Sequence, residues 1–184
     1  MDAAVDTRSQ ILEVARELFV TRGFAATTTR ELAERLGFTK AALYYHFHTK
    51  DDLLAALAEP MIDRMHALVD GTTPTAEPEL RASWLATYID TMFEYRDLIG
   101  VFHQDPSAKQ GRVADEFAVV FEGMLRLLSG EAEPDAAART RARATLSAVM
   151  GGLVHASADE DPDDVRAATL VAACGALGVP VPSS

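Results

Sequence analysis

The residues best equipped for chemistry lie in one short stretch: Thr39, Lys40, Ala41, Ala42, Tyr44, Tyr45 and His46, with Lys50 a few positions on. Lysine can reach a guanine edge or a phosphate, and tyrosine offers a flat apolar face with a hydroxyl at its tip. The alanines between them let a backbone come close to base edges. Lys50 stands where a helix would begin, among backbone N–H groups that favour an anion. The chemistry of this set is recognition of a nucleic-acid duplex. The chain shows no nucleophile–base set, no metal-type Cys/His spacing and no glycine-rich phosphate loop, so an enzyme is not expected. The acidic run from Asp159 to Asp164 lacks the glycine and distal glutamate of a calcium loop and reads as a helix start. No cofactor and no metal are expected.

Two short helices and a tight turn must hold these side chains. The first begins at Thr28, whose hydroxyl can accept from the Glu31 amide while Glu31 reaches back in a capping box. It turns Leu32, Ala33 and Leu36 inward at helical spacing and stops at Gly37, where positive φ is easy for glycine. Thr39 caps the second, whose apolar pair is Leu43 and Phe47. Two short helices joined through a glycine turn form a helix-turn-helix, with the N-terminal end of the second helix entering the major groove. A preceding helix from about Arg8 to Arg22, capped by Thr7 with Gln10, supplies the stripe Ile11, Leu12, Ala15, Leu18 and Phe19. A longer helix follows, with Thr49 as cap and Asp52 three residues on, running through Leu53, Leu54, Leu57, Met61, Met65 and Leu68 to Gly71. Pro60 falls inside it and is expected to kink or interrupt it.

The fixed spacing of Gly23, Thr27-Thr28, Arg30-Glu31-Leu32-Ala33, Leu36-Gly37, Lys40, Leu43-Tyr44, His46-Phe47, Lys50 and Leu53 resembles the DNA-binding domain of the tetracycline-repressor (TetR) family. The resemblance covers about the first 55 residues. It implies that Thr28, Thr29, Arg30, Thr39, Lys40, Ala41, Tyr44, Tyr45, His46 and Lys50 face DNA. Ala41-Ala42 stands where many members carry glycine and then a polar residue, and Phe38 where a smaller side chain is usual. Ala42 therefore offers at most a methyl contact to thymine.

The remainder of the chain reads as helices without strand-like alternation, so the fold class is all-α. An N-terminal three-helix helix-turn-helix domain over residues 1–48 precedes a C-terminal helical ligand-binding and dimerisation domain over residues 49–184. The net charge of −11 is unevenly spread. Residues 1–52 hold seven basic against eight acidic side chains, and the remainder carries ten against twenty. The acidic excess belongs to the body, where it opposes unproductive docking on a polyanion. The single cysteine, Cys174, excludes an intramolecular disulfide, and a reduced cytoplasmic setting fits. No apolar stretch approaches a membrane span.

After the loop 71–79, a helix carries Trp84, Leu85, Tyr88, Ile89, Met92 and Phe93. A shorter element spans Leu98 to His103, and a further helix carries Val113 to Leu128. The last two helices are expected from Pro134 to Ser157 and from Pro162 to Leu177, each with proline at its first position. Gly151-Gly152 interrupts the apolar face of the former, and close helix–helix approach would offset their cost of about 1 kcal/mol each. The last helix has so little polar face that it is expected to be covered on both sides, by its own body and by a second copy. The dimer interface is assigned to Val149, Leu153, Val165, Ala168, Ala172 and Ala176. The family resemblance further implies a cavity for a small apolar effector, with Met61, Met65, His66, Trp84, Tyr88, Met92, Phe102, His103, Phe117 and Phe121 as its lining. The expected function is a ligand-responsive DNA-binding regulator, most often a repressor in this family, acting as a homodimer on palindromic DNA. The alternative is a helical structural or adaptor protein with no DNA-binding role.

Overall fold

The computed structural model describes residues 2–109, 111–157 and 159–182, and all regular structure among them is helical. In chain order the helices are α1 (Asp2–Arg22), α2 (Thr29–Leu36), α3 (Lys40–His46), α4 (Lys50–Asp70), α5 (Pro78–Glu94), α6 (Arg96–Gln104), α7 (Gly111–Ser129), α8 (Ala136–His155) and α9 (Pro162–Leu177), with a 3-10 turn at Pro106–Lys109. Two compact units emerge. The first holds Met1–Pro60 and Asp97–Asp115, the second Met61–Arg96 and Glu116–Ser184. The first unit thus runs through Pro60 and takes in a distant segment, Asp97–Asp115.

In the first unit, local signals set the helices. Thr28 lies in extended backbone and accepts the Glu31 amide at 3.2 Å, starting α2. The Glu31 carboxylate, expected to complete a capping box, instead pairs with Arg22 at the end of α1. Gly37 closes α2 at φ 69°, with the Phe38 amide donating back to the Ala33 carbonyl at 2.9 Å. Thr39 caps α3 by accepting the Ala42 amide at 3.1 Å. Thr49 and Asp52 form the reciprocal box at the head of α4, at 2.9 and 3.0 Å. Ile11, Ala15, Leu18 and Phe19 of α1 are buried, as are Leu32, Ala33, Leu43, Phe47, Leu53 and Leu54, and these fill one core. The first helix begins at Asp2, six residues before the expected Arg8, so Thr7 lies inside it. Residues 2–6 contain two alanines, the strongest helix formers, and no residue that stops a helix. Pro60 does not interrupt α4. Proline removes a single amide, and neighbouring turns carry the helix across it.

The second unit is built mainly on α8 against α9, with α5 packed on both. Gly152 is where α8 and α9 meet: a Cβ there would lie 1.9 Å from the Thr169 hydroxyl. Gly151 faces open space, so only one of the paired glycines serves close approach. The eighth helix starts at Ala136, not Pro134, because Asp135 takes the cap position and accepts the Ala138 amide at 2.7 Å. The ninth starts at Pro162 behind Asp161, as its sequence predicts, and closes at Gly178 with φ 74°.

Candidate nucleic-acid interface

Burial within α3 separates its anchor from its working face. Leu43 is fully buried and Phe47 nearly so, which fixes the helix on the core. Thr39, Lys40, Ala41 and Ala42 are exposed, Tyr44 and His46 are half-buried, and Tyr45 is 84% exposed. Lys40 holds its ammonium 5.3 Å from the centre of the Tyr44 ring and, among the described residues, makes no ion pair. Tyr45 stands edge-on to His46 at 5.2 Å. At the head of α2, Thr28 and Arg30 are exposed and Thr29 half-buried. Arg30 reaches Glu34 one turn on at 2.8 Å, an exposed pair that solvent screens. The structure therefore keeps the polar and aromatic side chains of α3 and those of the α2 N-terminus on exposed or half-buried positions of one unit, with Lys40 outside any ion pair among the described residues and Tyr45 exposed.

Lys50 differs from the others. Its Nζ donates to the carbonyls of Phe24 at 2.5 Å, Thr27 at 3.1 Å and Ala25 at 3.4 Å, and lies 4.2 Å from the centre of the Phe24 ring. The expected anion site at the start of α4 is served internally, since Asp52 already accepts the Thr49 amide.

Two features of the first unit escaped sequence reading. Arg16 on α1 grips Asp97 on α6 through two hydrogen bonds of 2.8 Å. Asp105 accepts the Ala25 amide at 2.6 Å and the Ser107 amide and hydroxyl at 3.0 and 2.6 Å. The Ser107 hydroxyl first, then the Ala25 and Ser107 amides, outweigh the small effect of burial and hold the Asp105 carboxyl below its usual range. Both interactions join residues about eighty positions apart, and no local pattern announces them.

The ten residues assigned to an effector cavity fall in different surroundings. Met61, Met65, Trp84, Tyr88, Met92 and Phe102 are buried core residues, His66 and Phe117 are half-buried, and His103 and Phe121 are exposed. Trp84 stacks on Tyr88 at 5.7 Å and donates its indole N–H to the Leu68 carbonyl at 3.2 Å. Burial pushes the Tyr88 phenol well above its usual range. His66 contacts Glu116 at 3.0 Å. An open pocket of about 720 Å³ lies in the first unit instead, bordered by Arg8, Phe47, Asp51, Asp52, Glu59 and Arg112, and none of the ten lines it.

Of the proposed interface residues, Val149 is fully buried inside its own protomer, which removes it from any outer face. Ala168 and Ala172 are exposed, and Leu153, Val165 and Ala176 are half-buried. A shallow groove of about 320 Å³ runs between α8 and α9, with Gly151, Val165, Ala168 and Ala172 on its walls.

Residues 11–57 match the family model described as bacterial regulatory proteins, tetR family. The chain is similar to the HTH-type transcriptional regulator TtgR of Pseudomonas putida, 38% identical over 78 residues that make up 42% of this chain and 35% of that one. It is 29% identical over 170 residues to the HTH-type transcriptional repressor Rv1474c of Mycobacterium tuberculosis, covering 87% of each chain. In fold it is similar to the ketosteroid transcriptional regulator KstR2 of Mycobacterium tuberculosis, with a TM-score of 0.69 at 19% identity and 94% of each chain covered.

Proposed function

We propose that this chain, whose residues 11–57 match the tetR family model, is a ligand-responsive repressor that binds palindromic DNA as a homodimer. The observation that carries this reading is the exposed tip of α3, where Tyr45 is 84% accessible beside an unpaired Lys40 on a helix anchored by Leu43. In this reading Thr39, Lys40, Ala41, Tyr44, Tyr45 and His46 meet base edges and phosphates in the major groove. Thr28, Thr29 and Arg30 meet the flanking backbone from the α2 N-terminus. A helical adaptor leaves that tip without a purpose.

The nearly neutral charge of residues 1–52 implies few lysine–phosphate contacts, so helix N-termini carry part of the backbone grip. The homodimer forms through α8 and α9, and its two-fold axis sets two copies of α3 about 34–36 Å apart, one turn of the duplex. The effector is a small, largely apolar molecule, taken up among the soft side chains of the second unit. KstR2, whose name associates it with ketosteroids, has a similar fold and supports that class. Effector binding favours the form with wrongly spaced recognition helices, through a coupling of about 1–3 kcal/mol, and α4 is one of three places where the chain passes from one unit to the other. No helix among the described residues is long and apolar enough to cross a membrane, consistent with action in the cytoplasm.

The test begins by letting the full-length protein select from a random-sequence pool of short duplexes. Tyr45→Ala is expected to lose preference for the selected duplex over random DNA. Lys40→Ala is expected to weaken both and lower the salt slope by about one unit. Failure of the wild-type protein to enrich any duplex at low ionic strength overturns the reading in favour of an adaptor.

A further inference from the structure

We propose that Lys50 is a positioning residue for DNA binding: its ammonium, converging on three carbonyls of the α1–α2 turn, fixes the turn that aims the N-terminus of α2, and it does not contact phosphate. This deepens the duplex-binding reading given above and rests on it. An ammonium has three N–H donors. At Lys50 the Phe24, Ala25 and Thr27 carbonyls stand at 2.5, 3.4 and 3.1 Å, and the Phe24 ring covers the same charge at 4.2 Å. No donor is left to aim outward. Reaching for a phosphate would take the charged donor from the Thr27 carbonyl, on a buried residue, and leave the Phe24 carbonyl with only the Thr27 amide at 3.3 Å.

The turn held in this way is a short path from one helix to the next. It leaves α1 at Gly23, whose φ of 89° reverses the chain. Thr27 is buried and donates its hydroxyl to the Gly23 carbonyl at 2.9 Å, closing the loop on itself. Asp105 accepts the Ala25 amide of the same turn at 2.6 Å. Lys50 thus secures the carbonyls of the turn and Asp105 an amide, so that Thr28 emerges in the extended backbone needed to cap α2. Thr29 and Arg30 follow directly. Lys50 is itself held, as the first residue of α4 between the partners of the Thr49–Asp52 box. Arginine cannot replace it, because a planar guanidinium fork matches two parallel acceptors, whereas three converging carbonyls need a compact rotatable head.

The experiment compares Lys50→Met and Lys50→Arg in the full-length protein, by amide hydrogen exchange without DNA and by affinity for the duplex that the wild-type protein selects. Lys50→Met is expected to exchange the amides of Glu31 and Leu32 about tenfold or more faster, with α8 and α9 unchanged. Its affinity is expected to fall about tenfold or more, with an unaltered salt slope, since no released counterion is lost. Lys50→Arg is expected to restore neither. Restored affinity in Lys50→Arg, or a salt slope lowered by about one unit in Lys50→Met, overturns the proposal in favour of a phosphate contact. Should Lys50→Met not fold, Lys50→Arg decides by itself, because it keeps the charge and loses only the convergence. If the wild-type protein selects no duplex, the DNA-binding reading falls. Hydrogen exchange then decides the clamp, with unchanged protection at Glu31 and Leu32 counting against it.

Discussion

Opposing influences meet at the Asp97 carboxyl. Partial burial raises its pKa, while the hydrogen bonds from Arg16 and the Leu98 amide, with the Arg16 charge, lower it further, so it titrates below the ordinary carboxylate range. A depressed folded-state pKa adds stability above the unfolded-state value, and this is lost as pH falls through the folded-state value. Both partners keep about two-fifths of their side chains in water, so solvent screening makes the contribution small. The expected outcome is an Asp97 titration midpoint, read by NMR, below that of a model aspartate. Arg16→Met should raise it and leave the Asp105 midpoint, which has separate partners, in place. At this scale the sequence was legible wherever the partners are local. Thr28, Thr39 and Thr49 cap as their spacing predicts, each within three residues. Asp97 was not legible, because its partner is 81 positions away and nothing in either neighbourhood marks the pairing.

Helix boundaries and crossings turn on glycines that do different work. Gly37 has a φ of 69° and nothing within 4 Å of a virtual Cβ, so Gly37→Ala suffers backbone strain alone, about 1–2 kcal/mol. Gly152 is helical, and alanine there gains about 1 kcal/mol of propensity but drives a methyl into the Thr169 side chain. Since a virtual Cβ lies 1.9 Å from Oγ1 and 3.0 Å from Cβ of Thr169, the clash wins and Gly152→Ala is expected to melt earlier than wild type. Gly151→Ala meets open space in the protomer and is expected to be neutral or slightly stabilising. Thermal melting followed by circular dichroism ranks the three, and an equal loss at Gly151 and Gly152 contradicts the distinction. The sequence announced the glycine pair and the need for an offset, but which member touches α9 depends on how two helices cross. The same holds for Pro60, whose ring predicts an interruption while the helix continues.

For the whole molecule, the outer face of α9 is the surface that a second copy has to explain. Ala168, Val171, Ala172 and Gly175 recur one turn apart and are all exposed, Val171 at 57%. The four residues carry no charge, although residues 53–184 as a whole hold twenty acidic against ten basic side chains, so two copies can meet there without bringing like charges together. Small residues also let two helix axes approach closely, as the dimer reading requires. The sequence identified this helix as one without a polar face, yet it assigned Val149 to the interface, a residue whose apolar character serves its own core. Ala168→Arg tests the surface. The side chain is exposed in the protomer, so arginine there disturbs neither the core nor the α8–α9 contact, and helicity should be unchanged. In a two-fold interface each substitution appears twice, and two buried unpaired guanidinium groups oppose association by several kcal/mol. Sedimentation at micromolar concentration is therefore expected to find monomer where wild type is dimer. Affinity for the selected duplex should drop steeply, because each protomer then grips a single half-site and loses the effective concentration supplied by its partner. An Ala168→Arg protein that sediments like wild type places the interface elsewhere. One that is monomeric yet binds DNA unchanged refutes the requirement for two linked recognition helices.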